Sequence, residues 1–294
     1  MKYYQFLLII ILGISFYNCY EEAPIVAEEI PYKRVQMYDT NSTDKVLNFV
    51  SRYYYKYNRF FITDPDSSDY LYNFSSKNES LEFNYPKQEQ EHLWKGIEMM
   101  QKLVLDAYPE EFIRKHFPYS IILADDAIAD PALLETEVLS CIGRYFCIFS
   151  IQDLGQMSFN EKAVASSKSH ETLWRYIGMY DKGINIPDEF YQYGESLLLY
   201  GQLIQDEKLE YLYEEEARYE LGFPRMFLFY DIIPVFPYKG EDIGYWISFL
   251  IDTPDDELQV LLKKYEVMQI KYDLLTKALK EMGIDYKKLR YTEK

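Results

Sequence analysis

The sequence predicts an α+β fold that is mostly helical and carries a small β-sheet. From residue 86 onward, most segments repeat apolar residues at the three- and four-residue spacing of amphipathic helices. Two runs rich in β-branched and aromatic residues, YSIILADD and GRYFCIFSI, are typical of buried strands. A small group of strands that follows two helices indicates the α+β class.

The first segment, MKYYQFLLIIILGISFYNC, has the organisation of an export signal. Lys2 precedes an apolar run, Phe6 to Phe16, whose length suits a signal peptide better than a membrane-spanning helix. The run ends at Cys19, and no A-x-A-like cleavage site lies nearby. We expect residues 1–18 to be a lipoprotein signal peptide and Cys19 to be lipidated. Because Asn18 replaces the usual small residue, a plain secretory signal stays open as the alternative.

The remaining chain divides by composition into three parts. Residues 19–45 are acidic and contain two prolines, so we expect a tether. Residues 46–85 carry VLNFVSRYYYKYNRFF and then a loop rich in Asp and Ser, which indicates a small N-terminal layer. Residues 86–294 form the main predicted domain.

The negative charge of the chain argues against two classes of binding partner. The 48 acidic and 31 basic residues give a formal net charge of −17. Nucleic acids and anionic lipid surfaces require basic protein surfaces, so neither is an expected partner. Tyrosine occurs 31 times, which is either a compositional habit or a supply of aromatic platforms for sugars.

The helical segments of the main domain are marked by their end signals. Pro109 and Pro118 bracket EEFIRKHF, Ser158 is placed to cap a helix over residues 158–183, and Gly222 closes EEEARYELGF. Thr253-Pro254-Asp255-Asp256 predicts the start of one helix that continues to Gly283. The other predicted helices are KQEQEHLWKGIEMMQKLVLDAY, IPDEFYQYGESLLLYGQLI and KGEDIGYWISFLID.

Cys141 and Cys147 lie in SCIGRYFCIFSI, which reads as one strand. Six residues apart on one strand, they would share a face but lie too far apart for a disulfide. We therefore expect two buried thiols. A tight bend at Gly143 would permit a disulfide instead.

The stretch SHETLWRYIG begins like the HExxH motif of zinc hydrolases. In that motif two histidines at i and i+4 bind zinc, and the glutamate between them activates the zinc-bound water. Here His170 and Glu171 are present, but Trp174 stands where the second histidine is needed. The other histidines, His92 and His116, are expected at the surface, and neither a Gly-rich phosphate loop nor a G-x-S-x-G nucleophile elbow occurs.

From Pro86 to the C-terminus, the order and spacing of several segments resemble a known family. The segments are LVLDAYPEEFIRKHFPYSIILADD, INIPDEFYQY, EEARYELGF, KGEDIGYWISFLIDTPDDEL and YDLLTKALKEMGIDYKKLR. They resemble the substrate-import-associated zinc metallohydrolase lipoproteins, which are zinc-binding metallopeptidases associated with outer-membrane polymer import. The resemblance implies a zincin-like fold, a lipid anchor in the outer membrane and exposure at the cell surface.

The same resemblance implies a degenerate site. Counting back from Ile186-Pro187 places the HExxH positions on Trp174-Arg175-Tyr176-Ile177-Gly178, so Trp174 and Gly178 replace the histidines and Arg175 replaces the glutamate. Tyr245 stands where the family has a further acidic residue. The resemblance thus implies no metal, no catalytic residue, and a His170-Glu171 pair that lies one turn early.

Three functions follow from these patterns. The first is an inactive lipoprotein of metallopeptidase-like fold, which binds or assembles with import proteins, a peptide or a glycan. In that case four aromatic residues would either line the former cleft or simply pack the vacated pocket; they are Trp174, Tyr176, Tyr180 and Tyr245. The second is an active zinc metallopeptidase that uses His170, Glu171 and an acid among Glu214, Glu215 and Glu216. The third is a glycan-binding lipoprotein.

Overall fold

The computed structural model describes residues 34–65, 69, 82–84, 89–128, 138–142, 146–151, 154–181, 183–197, 199–201, 214–229 and 233–293. The chain divides into two compact units, residues 1–38 and 39–294. The first unit contributes a 3-10 turn at Val35–Met37. The predicted signal peptide and Cys19 lie outside the described residues. No helix that the structure describes combines the length and apolar character needed to cross a membrane.

Helices make up most of the described part of the second unit. In chain order they are α1 (Lys45–Tyr57), α2 (Gln90–Leu103), α3 (Glu110–His116), α4 (Phe159–Tyr180), α5 (Gln192–Ser196), α6 (Glu215–Glu220), α7 (Lys239–Asp252), α8 (Asp255–Lys264) and α9 (Glu266–Glu281). Short 3-10 helices lie at Leu105–Ala107, Asp188–Phe190 and Tyr286–Leu289.

In the described part of the chain, the strands form one small sheet and two separate pairs. In chain order they are β1 (Phe60–Ile62), β2 (Glu82–Asn84), β3 (Ser120–Ala124), β4 (Asp126–Ile128), β5 (Leu139–Ile142), β6 (Phe146–Ser150), β7 (Phe227–Phe229) and β8 (Ile233–Val235). The sheet has the order β1-β3-β6-β5; β1, β3 and β6 are parallel, and β5 is antiparallel to β6. The pairs are β2 with β4 and β7 with β8. The predicted α+β class, mostly helical with a small sheet, is confirmed.

The strand β1 belongs to the segment that we expected to form a small N-terminal layer. It pairs with β3 in parallel, with Phe60 opposite Ser120 and Ile62 opposite Ile122. All three residues of β1 and all five of β3 are buried. Residues 60–62 of this segment therefore form an edge strand of the main sheet.

The predicted pair of free thiols is wrong. Cys141 and Cys147 form a disulfide, and their Cα atoms are 4.0 Å apart. They lie on β5 and β6, which are antiparallel and place the two cysteines directly opposite each other. Since the chain reverses between two strands, the six-residue separation along the sequence does not set the distance in space.

The prediction of a single C-terminal helix is also wrong. The chain leaves the helical conformation at Tyr265 (φ −118°, ψ 104°), which separates α8 from α9. Its side chain is buried and lies 5.4 Å from the ring of Tyr219, so tertiary packing overrides the helical pattern there. The predicted helix after Pro187 is likewise divided among the residues described: Asp188–Phe190 is a 3-10 turn, and α5 is short.

The long helix α4 packs most extensively against α7. The start of α4 follows the sequence signal, because Ser158 Oγ accepts a hydrogen bond from the Glu161 backbone and the Glu161 carboxylate accepts one from the Ser158 backbone. This reciprocal cap fixes where the helix begins.

Candidate functional site

The helix α4 carries His170 and Glu171 and also the positions that the family resemblance aligns with HExxH, Trp174 to Gly178. His170, Trp174 and Gly178 are four residues apart and share one face of the helix. Glu171 and Arg175 flank that face. The surroundings of this face decide whether a metal site can exist there.

His170 and Trp174 are both hydrogen-bonded to the same hydroxyl group, that of Tyr108. Trp174 Nε1 donates to the hydroxyl oxygen of Tyr108 at 2.9 Å, and His170 Nδ1 lies 2.8 Å from that oxygen. Since an indole N–H can only donate, the Tyr108 hydroxyl is free to donate to His170 Nδ1. All three side chains are buried, and the ring of Phe112 packs against Tyr108 at 5.1 Å and against Trp174 at 5.4 Å. The network is part of the core.

Burial also sets the charge of His170. It lowers the pKa of His170 from 6.5 to about 3, with a weaker opposing contribution from the Leu289 backbone. The ring is therefore neutral at physiological pH. A neutral imidazole can in principle bind a metal, but here Nδ1 is hydrogen-bonded to Tyr108 and Nε2 is buried in the core.

The far end of the same face is closed by contact between helix backbones. A β-carbon on Gly178 would lie 2.5 Å from the carbonyl oxygen and 2.8 Å from the Cα of Gly240 on α7. One turn along, a β-carbon on Gly244 would lie 2.6 Å from the Glu171 carbonyl oxygen. These glycines let the two helices touch, so position 178 has no room for a histidine.

Glu171, Arg175 and Tyr245 form a charged cluster beside this face with two further residues. Arg225 contacts the Glu171 carboxylate at 2.7 Å, and Arg175 contacts that of Glu241 at 2.8 Å. The two guanidinium groups lie 5.5 and 5.9 Å from the ring centre of Tyr245, within cation–π distance. Glu241 also accepts from the Tyr238 backbone at the start of α7. The glutamate of the SHETLW stretch is thus an ion-pair partner.

Burial raises the pKa of Tyr245 to about 12, although the neighbouring Arg175 works in the opposite direction. Tyr245 is therefore a neutral phenol between two cations. Two arginines and two glutamates balance each other's charge in this cluster, so it has no excess of negative charge to attract a metal cation.

The four aromatic residues Trp174, Tyr176, Tyr180 and Tyr245 do not line one common cleft. Trp174 is fully buried against Tyr108, whereas Tyr176 and Tyr180 line a separate pocket of about 220 Å³ with Arg59, Lys115 and His116. Residues two apart on a helix are rotated by about 200° around the helix axis. Tyr176 therefore lies on nearly the opposite side of α4 from Trp174. Tyr245 belongs to the charged cluster.

The residues of the atypical zinc alternative do not converge either. Glu216 pairs with Lys264 at 3.1 Å, and Glu215 accepts a hydrogen bond from Tyr219. Elsewhere, His92 pairs with Asp125 and His116 with Asp181, each at 2.5 Å. His116 is mostly buried, contrary to its expected surface position. Across the described residues, no group of three or more His, Cys, Asp or Glu side chains is arranged to hold a metal.

Sequence reasoning missed a fully buried ion pair next to the cluster. Lys271 Nζ on α9 lies 2.6 Å from the Asp242 carboxylate, which also accepts from the Tyr200 hydroxyl at 2.8 Å. The ammonium lies 4.4, 4.6 and 5.7 Å from three aromatic ring centres, those of Phe190, Phe223 and Trp246. Burial lowers the pKa of Lys271 and raises that of Asp242, while their mutual attraction favours both charged forms. Nothing in the local sequence distinguishes this lysine from a surface lysine.

Comparison with known proteins supports the fold at a coarse level. No protein-family model and no curated protein matches the chain. Among solved structures, it is similar to the crystal structure of a "putative zinc-binding metallo-peptidase" from Bacteroides caccae ATCC 43185. The TM-score is 0.50 at 15% identity, with 82% of this chain and 87% of that chain covered. At this identity the likeness concerns the fold alone, and it confirms the expected metallopeptidase-like fold.

Proposed function

We propose that this protein is a lipid-anchored surface protein that uses a metallopeptidase-like fold for binding or assembly and has no zinc centre. The observation that carries the proposal is the packing of one helix face. Three positions on this face have zinc-ligand spacing. His170 and Trp174 are both hydrogen-bonded to the buried Tyr108 hydroxyl, and Gly178 is in backbone contact with Gly240.

Zinc does not fit these residues. A hydrolytic zinc site needs three protein ligands and an open position for water. Trp174 offers no lone pair, Gly178 has no room for a side chain, and His170 already shares Nδ1 with Tyr108. Arg175 supplies a cation where the family has its general base, and its pairing with Glu241 keeps that cation in place. No observation specifically favours the atypical peptidase.

The charged cluster supports a binding role. Arg225 and Arg175 are partly exposed, whereas the carboxylates they contact are mostly buried. Such a surface presents the guanidinium groups of Arg175 and Arg225 to a peptide or protein partner, while the buried ring of Tyr245 lies against them from within the protein. Arginine is enriched at protein interfaces, where it contributes much of the binding energy.

The sequence supports the location. Cys19 after an apolar signal segment would carry the lipid, and the acidic residues that follow it resemble surface-export signals. We place the protein at an outer-membrane polymer-import system, where it would contact the import proteins.

Native electrophoresis of outer membranes tests this role. We expect the wild-type protein to migrate in a complex larger than the monomer, together with import proteins. A Cys19→Ala variant should be lost from the outer-membrane fraction, and Arg225→Glu should release the protein from the complex while leaving it in the membrane. Monomeric migration of the wild-type protein and unchanged polymer uptake in a deletion strain would contradict the proposal.

A further inference from the structure

A second site of a different kind lies between the helices α1 and α2. A groove of about 510 Å³ is lined there by three cations and by aromatic rings. The cations are Lys45, Arg52 and Lys56, which recur along one side of α1 at helical spacing. Its volume lies within the range of roughly 300–1,000 Å³ that is usual for small-molecule sites.

The charge of the groove is opposite to that of the chain. Among the described residues, no Asp or Glu lines it, although the chain has a net charge of −17. Lys56 pairs with Glu110 outside the groove, but Arg52 is exposed and has no carboxylate partner among the residues described. Lys45 lies over the ring of Trp94, at 5.6 Å from its centre. Two cations are therefore available to an anion that enters.

The walls offer ring faces and neutral polar groups together. Phe49 stands edge-on to Trp94 at 6.5 Å, and Tyr57 lies beside the Lys56 ammonium. Asn48 and Gln101 add side-chain amides, which both donate and accept hydrogen bonds. Aromatic faces suit the apolar face of a sugar ring, amides suit its hydroxyl groups, and the cations suit a carboxylate or sulfate substituent.

We propose that this groove binds an acidic saccharide, a sugar ring that carries a carboxylate or sulfate group. An acidic peptide would also satisfy the cations, but it would leave the amides and aromatic faces with less specific contacts. The proposal is independent of the role assigned to α4, because the groove shares no residue with the zinc-spaced face or the charged cluster.

Fluorescence titration of the purified full-length chain tests the site directly. The chain has three tryptophans, of which Trp174 and Trp246 are fully buried, so ligand-dependent emission reports on Trp94. The probes are trigalacturonic acid and a sulfated heparin disaccharide, and neutral maltotriose and tetraglutamate serve as comparison ligands. We expect saturable quenching by at least one acidic saccharide, and at least roughly tenfold weaker binding of both comparison ligands.

Charge reversal at exposed positions completes the test. Arg52→Glu and Lys45→Glu should each weaken binding by roughly tenfold or more, because a charge-assisted contact becomes repulsive. Lys277→Glu, at an exposed lysine on α9, should bind like the wild type. The proposal fails if neither acidic saccharide binds, if Arg52→Glu binds them unchanged, or if tetraglutamate binds more tightly.

Discussion

Gly178 and Gly240 meet where α4 crosses α7, so closely that a β-carbon on Gly178 would lie 2.5 Å from the Gly240 carbonyl oxygen. The position that the family resemblance assigns to a zinc-binding histidine is therefore a backbone contact. Because the neighbouring atoms belong to the backbone of another helix, they cannot move aside as a flexible side chain could.

Gly178→Ala should lower the free energy of unfolding by about 1–3 kcal/mol, since even one methyl group overfills the contact. Urea unfolding monitored by circular dichroism measures this. Gly155→Ala is the matched control, because a β-carbon on Gly155 meets nothing within 4 Å, and it should change stability by less than about 0.5 kcal/mol. Equal stability of the two variants would show that the helices are not in backbone contact.

Tyr108→Phe should destabilise the protein by roughly 2–4 kcal/mol, because one lost hydroxyl leaves both the Trp174 indole and the His170 ring without their buried partner. Thermal unfolding measures the loss. The control is Tyr55→Phe, at an exposed tyrosine, which should be close to neutral. A neutral effect of Tyr108→Phe would argue against the network.

The burial of His170 predicts a specific pH dependence. Its pKa is about 3 in the folded state and about 6.5 in the unfolded state, so between these values the unfolded chain binds more protons and stability falls as the pH falls. The advantage of the wild type over His170→Gln should therefore shrink by about 2 kcal/mol between pH 7 and pH 5. Urea unfolding of both proteins at several pH values measures it, and a difference that stays constant with pH would mean that His170 is accessible and ionises normally.

Lys271→Met should cost about 3–5 kcal/mol, because it leaves Asp242 charged and unpaired in the core. Adding Asp242→Asn should recover part of that loss, since the remaining amide carries no charge. Lys277→Met, at an exposed lysine of the same helix, is the control for helix propensity. Denaturant unfolding of Lys271→Met, Asp242→Asn, the double variant and the wild type gives the coupling energy, and purely additive effects would exclude an ion pair.

The Cys141–Cys147 disulfide should raise the free energy of unfolding by about 2 kcal/mol, as expected for a short closed loop. A reducing agent should lower the melting temperature of the wild type to that of a Cys141→Ser/Cys147→Ser double variant, which should itself not respond. Alkylation of both cysteines in the unfolded, unreduced protein would contradict the pairing.

The predictable parts of the fold were those set by local chemistry. The Ser158 cap, the glycine that closes α6 and the apolar run of β3 each act within a few residues, and the structure has all three. The break at Tyr265 could not be predicted in this way, because the apolar spacing continues through it. The cysteine pairing depends on a chain reversal that the apolar run conceals.

The candidate site was less predictable because its partners are distant in sequence. Tyr108 lies 62 residues before His170, and Gly240 lies as many after Gly178. The sequence indicated that Trp174 cannot bind zinc, but the phenol that binds both side chains follows only from the packing of α4. Likewise, the sequence showed a cation, Arg175, at the position of the general base. Its ion pair with Glu241 could not be predicted, because the two residues meet only where α4 crosses α7.

The most direct test of the central claim is the zinc content of the purified chain from residue 20 onward, measured by mass spectrometry after incubation with zinc and exhaustive dialysis. We predict far less than one zinc ion per chain, with the same value for the wild type and His170→Ala. One tightly held zinc ion per chain that is lost in His170→Ala would contradict the account and make SHETLW a metal site.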